Sequence, residues 1–251
     1  MNINPPRRRS AAYRIPGLVV LALLGGVGIW AAHRSEHEFT ETSVTTASPR
    51  TLLSLNAGGA DLVVSRGTGT SIRIEQRVRW IGDRPTRSII EGDDGQIVLE
   101  DDCPGGVSVA AAMFSFDDDC SITYRVQVPA GQDVRLIGGS GDIALRDLSG
   151  RITAIAGSGD VSASGLRART VQLDAGSGDV SAGFALPPTS LRATAGSGDV
   201  SLRVPGDDYR ITASTGAGDR SIDGLTSRAA SKRSITARAG SGDVSIERSG
   251  R

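Results

Sequence analysis

Six aspartates recur in one setting. Asp142, Asp160, Asp179, Asp199 and Asp243 each close the phrase G-S-G-D, and Asp219 closes the variant G-A-G-D. Carboxylates at near-fixed spacing suit two kinds of chemistry. They can hold a hard cation such as calcium through oxygen ligands, or work as unequal acid and base on a glycosidic bond. A second acidic group surrounds the two cysteines, in LEDDC ending at Cys103 and FDDDC ending at Cys120. Joining these cysteines would gather Asp101, Asp102, Asp118 and Asp119 into a candidate cation site. A solvated acidic rim is the plainer reading. The two histidines, His33 and His37, lie far from either group. No H-E-x-x-H, G-x-S-x-G or phosphate-loop motif is present. The six aspartates stand in interchangeable settings, whereas catalysis needs unequal ones. The sequence therefore predicts no enzyme and no cofactor.

The neighbours of the motif explain its repetition. The G-S-G-D or G-A-G-D phrase begins at Gly139, Gly157, Gly176, Gly196, Gly216 and Gly240, at spacings of 18, 19, 20, 20 and 24 residues. A looser relative, GGAD, ends at Asp61. Apolar residues alternate on both sides of each copy, as in Val171 and Leu173 before one and Val180 and Ala182 after it. Period-two alternation marks a strand with one buried face. No unit of this size buries its own face, but a stack of units does. The pattern predicts an all-β chain, a β-solenoid (single-stranded β-helix) of about 18–20-residue coils; an antiparallel β-sandwich is the competitor. Glycine then serves positive-φ or crowded corner positions, and Ser and Asp bond local backbone N–H groups. Corner-capping is the reading favoured for the aspartates over a calcium-binding edge. Nearby arginines (Arg151, Arg169, Arg192, Arg210, Arg238) are candidates to offset their charge. The final strand, DVSIER, ends close to the C-terminus and offers an edge for end-to-end self-association.

The chain opens differently. Ile15–Ala32 carries no charge over 18 residues and is preceded by Arg7, Arg8, Arg9 and Arg14. As a helix it reaches about 27 Å, enough to cross a bilayer core. The positive-inside rule puts the N-terminus in the cytoplasm and the rest outside; a cleaved signal peptide is the alternative. The expected layout is a cytoplasmic tail over 1–14, one transmembrane α-helix over 15–32 and a polar linker over 33–50. A membrane-proximal β region with a disulfide loop follows over 51–130, then the repeat solenoid over 131–251. Outside the membrane, an even pair of cysteines reads as a Cys103–Cys120 disulfide. The stretch 107–116 inside that loop, VSVAAAMFSF, is read as a segment covering the first coil, and Trp80 and Tyr124 as core or cap residues. Residues 226–234 read as an inserted loop. Without its tail the chain carries 24 basic and 28 acidic residues, which does not suggest a nucleic-acid partner.

The anchored start, YRVQVPAGQDV ahead of the first repeat, the CPGG and DDDC flanks and the serial GSGDV and GSGDI phrases resemble the bacterial putative-adhesin family of β-strand-repeat proteins. They also resemble the related head-GIN-domain adhesin-like proteins. The resemblance spans roughly residues 40–250 and implies a β-solenoid ectodomain at the cell envelope, with no catalytic residues. The expected role is a non-enzymatic adhesin-like or scaffold surface, with cell-wall glycan or an envelope protein as partner. The alternative is an envelope-stress sensory accessory working through a membrane partner.

Overall fold

The computed structural model describes residues 36–46, 52–81, 85–91, 96–102 and 120–250. The described residues form strands and turns, and no helix among them is long and apolar enough to cross a membrane. The predicted tail and transmembrane helix, His33, and the 107–116 segment lie outside the described residues.

The first seven strands are β1 (Glu36–Thr46), β2 (Leu53–Ala57), β3 (Asp61–Arg66), β4 (Ser71–Ile81), β5 (Thr86–Glu91), β6 (Gln96–Asp102) and β7 (Cys120–Val128). The repeats follow as pairs: β8 (Val134–Gly138) with β9 (Ile143–Arg146), β10 (Ile152–Ala156) with β11 (Val161–Leu166), and β12 (Thr170–Ala175) with β13 (Val180–Phe184). Next come β14 (Ser190–Ala195) with β15 (Val200–Val204), and β16 (Asp208–Thr215) with β17 (Arg220–Asp223). The chain closes with β18 (Thr226–Ser227), β19 (Ser234–Ala239) and β20 (Val244–Arg248).

These strands build two sheets. Sheet I runs β1-β4-β7-β3-β9-β11-β13-β15-β20-β17; sheet II runs β18-β16-β19-β14-β12-β10-β8-β2-β6-β5. Each repeat gives one strand to each sheet, and repeat neighbours pair in parallel. That is a β-solenoid with two strands per coil. Its coils stack in the order β6/β7, β2/β3, β8/β9, β10/β11, β12/β13, β14/β15, β19/β20 and β16/β17, numbered here 1 to 8.

Chain order and stacking order part at both ends. In front, β6/β7 lies outside β2/β3, so the GGAD unit is an interior coil next to the first G-S-G-D coil. At the back, the G-A-G-D coil is outermost and the chain's last coil is tucked inside it. This corrects the expectation for the final strand. β20 is paired on both edges, by β15 and β17, and offers no free edge. The segment read as an inserted loop contains β18 and carries the chain back inward to β19.

The core consists of columns of like residues. In sheet II, Val134, Ile152, Val171, Leu191 and Ile235 stack in register and are buried. In sheet I, Leu62, Ile143, Val161, Val180, Val200 and Val244 do the same. Each such burial contributes about 1.5–3 kcal/mol. Size is complementary in three coils, where Leu173 shares a coil with Ala182, Ala193 with Leu202, and Ala237 with Ile246; the coils before them carry Leu136 with Leu145 and Ala154 with Ala163.

Antiparallel strands finish the front end. β4 pairs antiparallel with β7, β1 with β4, and β5 with β6. Residues 36–46, read from sequence as part of a linker, are therefore an edge strand. They lack the alternation of a half-buried strand because β1 ends its sheet, and their Thr-rich composition suits extended backbone. In β4 and β7, Tyr124 is fully buried and accepts a 2.9 Å bond from the Gln76 amide, which satisfies both polar groups in the core. Trp80 is half-buried and stacks on His37 at 5.3 Å.

Candidate functional site

The G-S-G-D corners lie on one long edge, where each strand of sheet II turns into sheet I. Their aspartates form one continuous ladder. The Asp142 N–H donates to Asp61 Oδ1 at 3.0 Å, Asp160 to Asp142, Asp179 to Asp160 and Asp199 to Asp179 at 2.8 Å. Asp243 then donates to Asp199, and Asp219 to Asp243, at 2.7 Å. The bonds run between coils, not within a local turn as expected from sequence. The ladder's first rung is Asp61, in the degenerate GGAD copy. Its last is Asp219, whose carboxylate accepts no hydrogen bond among the described residues.

The second hydrogen-bond column uses the aspartate carbonyls. Val161 N–H donates to Asp179 O, and Val180 N–H to Asp199 O, both at 2.8 Å. Each interior aspartate thus ties its coil to both neighbours.

Glycine is required here by crowding. A Cβ on Gly178 would stand 2.3 Å from Gly159 O, and one on Gly196 would stand 2.1 Å from Gly176 O. Positive φ is not the general reason: of the motif glycines, Gly218 in the outermost coil has it, at 139°. The motif is small because successive corners stack backbone on backbone.

All ladder aspartates are solvent-exposed. Neighbouring carboxylates one coil apart repel by about 1 kcal/mol in water. A hydrogen bond to a charged acceptor contributes roughly 1.5–3 kcal/mol, so each rung's bond outweighs the repulsion from the next. The arginines proposed from sequence to offset it do not do so. Arg151, Arg169 and Arg210 lie where sheet II strands begin, Arg192 and Arg238 on their outer face, and no ladder aspartate has an ion pair among the described residues.

In the chain the acidic cysteine segment lies between β6 and β7. Asp101 and Asp102 end β6. Asp118, Asp119 and Cys103 lie outside the described residues, and the predicted cation site and disulfide lie there with them. Among the described residues no group of three or more His, Cys, Asp or Glu is placed to hold a metal ion.

The opposite edge, from sheet I back to sheet II, varies from coil to coil. A shallow cavity of about 300 Å³ opens there, lined by Arg66, Asp147 and Arg167 among others. Asp147 has φ 55°, and Gly165 takes φ 64° at the equivalent place one coil on. Two guanidiniums and one carboxylate do not make the paired carboxylates of a glycosidase. Further along, Tyr209 is buried and donates to the Pro205 carbonyl, anchoring the step from β15 out to β16. Burial pushes its hydroxyl up to about 12, against a smaller lowering by Arg233.

Fold and corner together define a two-sheet parallel β-solenoid whose coils are locked by an aspartate ladder. The Toastrack DUF4097 family matches residues 111–249, more than half of the chain, and the chain belongs to that family. It is similar to a solved structure described as a putative cell adhesion protein from Clostridium sporogenes. The two share 17% identity, with 84% of this chain and 100% of that chain covered, at a TM-score of 0.49. A putative adhesin from Bacteroides fragilis has 14% identity, coverage of 86% and 99%, and a TM-score of 0.45. One from Parabacteroides merdae has 8% identity, coverage of 84% and 96%, and a TM-score of 0.38. No curated protein matches the sequence.

Proposed function

We propose that this protein is a non-enzymatic, membrane-anchored binding surface of the bacterial envelope, adhesin-like in its mode of action. The observation that carries this reading is the use of its most conspicuous chemical group. The ladder carboxylates are equivalent, and all but the last accept a backbone N–H from the next coil. They are architecture. The two sheet faces remain as the large exposed surfaces, studded with Arg, Ser, Thr and Gln. The apolar run Ile15–Ala32 behind four arginines supports a single span with the N-terminus inside and the solenoid outside. A Cys103–Cys120 disulfide suits that compartment.

The test is retention of the full chain, in non-ionic detergent, on isolated envelope material, with calcium and with chelator. Retention under both conditions is expected. A chain that stays in the supernatant under both overturns the reading.

A further inference from the structure

Arginines gather at one end of sheet II when the coils are stacked in their pairing register. Taken against the in-register column Val134, Ile152, Val171, Leu191, Ile235 and Ile211, they fall at three offsets, spread over about 10 Å along the strands. Arg135 and Arg192 follow it by one, Arg151 and Arg210 precede it by one, and Arg169 and Arg233 precede it by two. Coils 3 to 8 thus contribute one arginine each to the same end of sheet II. The stripe advances one coil at a time, about 4.8 Å per step, for about 24 Å. Five of the six are exposed and Arg233 is partly exposed.

Among the described residues the stripe is unpaired, as are Arg73 and Arg146 on sheet I, and what sets it apart is one such arginine in each successive coil. On sheet I, Arg203 is 3.1 Å from Glu247, Arg125 is 3.5 Å from Glu75, and Arg77 and Arg79 share Glu38. On the stripe, no guanidinium has a carboxylate within ion-pair distance among the described residues. Of the nearby acids, Asp133 accepts the Arg151 backbone N–H at 2.7 Å, and Asp174 accepts the Gln172 amide at 2.6 Å. Asp208 lies in the final coil.

We propose that this stripe is a docking track for a linear glycan carrying a carboxylate on each sugar. The proposal rests on the binding-surface reading and names its ligand class. Guanidinium binds carboxylate in bidentate, charge-assisted geometry. One cation per coil matches one acidic ring per step, since the coil spacing is close to the length of a pyranose residue. Nucleic acid fits poorly. Duplex DNA carries about one charge per 1.7 Å of axis, far denser than the stripe. No aromatic side chain stands on the face of these coils to stack a base. A lipid surface fits poorly too: the face presents Thr, Ser and Gln between the arginines, and the exposed Leu52 and Leu186 at this end of the sheet are two isolated side chains, not the continuous apolar face that membrane insertion needs.

The probe is end-labelled polygalacturonate, titrated with the full chain in non-ionic detergent and read by fluorescence anisotropy at several salt concentrations. Wild type is expected to bind it and to ignore the fully methyl-esterified polymer. Arg135→Gln, Arg151→Gln, Arg169→Gln and Arg192→Gln combined should weaken binding about tenfold or more and flatten the salt dependence. The same four positions as Lys should lose less. Arg79→Gln with Arg203→Gln, on sheet I, should bind as wild type. If the fourfold variant melts early, Arg135→Gln with Arg192→Gln replaces it, with a loss of about threefold expected. The track is overturned by undiminished binding in the stripe variants, by equal binding of the esterified polymer, or by stripe-dependent preference for phosphatidylglycerol vesicles. Wild type retained on envelope material yet blind to polygalacturonate overturns the track alone. Failure in both assays overturns the binding-surface reading with it.

Discussion

The two long edges of the rod differ in what they repeat. On the G-S-G-D edge every coil from 3 to 8 uses the same four-residue solution, because corners stack backbone on backbone and leave no room for a side chain. On the opposite edge the corresponding turns read DLSGR, RAR, ALPPT and PGD, with no shared phrase. One edge is held by inter-coil hydrogen bonds from an invariant aspartate. The other has inter-coil bonds too, such as Arg167 N–H to Leu148 O and Ala185 N–H to Leu166 O at 2.8 Å, and a crowded glycine, Gly150. It repeats no side-chain acceptor from coil to coil, however, and fills its inside with differing apolar residues such as Leu148, Leu166 and Phe184. The repeated motif, which first suggests a site, is the part least free to act on anything else. The variable edge and the adjoining face of sheet II are free to carry recognition.

The contrast can be broken most forcefully at glycine. Gly178→Ala should cost about 3 kcal/mol or more, because its Cβ would meet the Gly159 carbonyl and nothing there can move without shifting a coil. Thr189→Ala, exposed on the opposite edge, should stay within about 0.5 kcal/mol. Chemical denaturation of both variants measures the difference, and equal midpoints would erase the distinction between the edges.

The aspartates come next. Asp179→Ala removes the acceptor of the Asp199 N–H and should cost roughly 1–2 kcal/mol. Asp179→Asn keeps an acceptor oxygen and should cost less than half as much. Asp219→Ala, at the ladder's end, should be nearly silent, within about 0.5 kcal/mol. A large loss at Asp219 would mean that the carboxylates act other than as rungs.

A smaller effect is expected at Tyr209, on the variable edge. Its hydroxyl titrates at about 12, above the ordinary 10.0, so the folded state favours the neutral phenol. That contribution, up to about 2 kcal/mol, is fully present below pH 10 and disappears as pH rises toward and through 12. Tyr209→Phe should lose about 1 kcal/mol at neutral pH through the missing bond to Pro205, and should flatten the alkaline step. Melting curves from pH 8 to 12 would refute the assignment if the step survived in the variant.

The smallest stability change, and the most visible change in assembly, is expected at Arg220. It occupies the inward position held by Val in the neighbouring coils, and its Nη1 reaches across the end of the core to the Ala213 carbonyl at 3.2 Å. An inward charge at an open edge discourages pairing with another chain. Arg220→Val should unfold within about 0.5 kcal/mol of wild type. It should also sediment as larger, concentration-dependent species where wild type does not.

The sequence made the coils legible because strand, corner and strand recur at fixed spacing, and even the GGAD copy at Asp61 proved to be a rung. Three features were not legible for physical reasons. The inversion of the last two coils depends on pairing across sequence-distant strands, though Thr215, Ala217 and Arg220 departing from the repeat mark the outer coil. The need for glycine came from the distance between coils, which no single repeat contains. The arginine stripe was hidden because its members fall at three different offsets and come together at one end of sheet II only when the coils are stacked. The strand β1 escaped notice because its pairing, not a buried face, defines it.

The most direct test of the account separates ladder from face in one binding assay. Full chain carrying Asp160→Asn, Asp179→Asn and Asp199→Asn would be compared with the fourfold arginine-to-glutamine variant for retention on envelope material, with calcium and with chelator. The account predicts that the asparagine variant is retained like wild type under both conditions while the glutamine variant is released. Release of the asparagine variant with the glutamine variant retained would contradict it, and would return the aspartate edge to the status of a binding site.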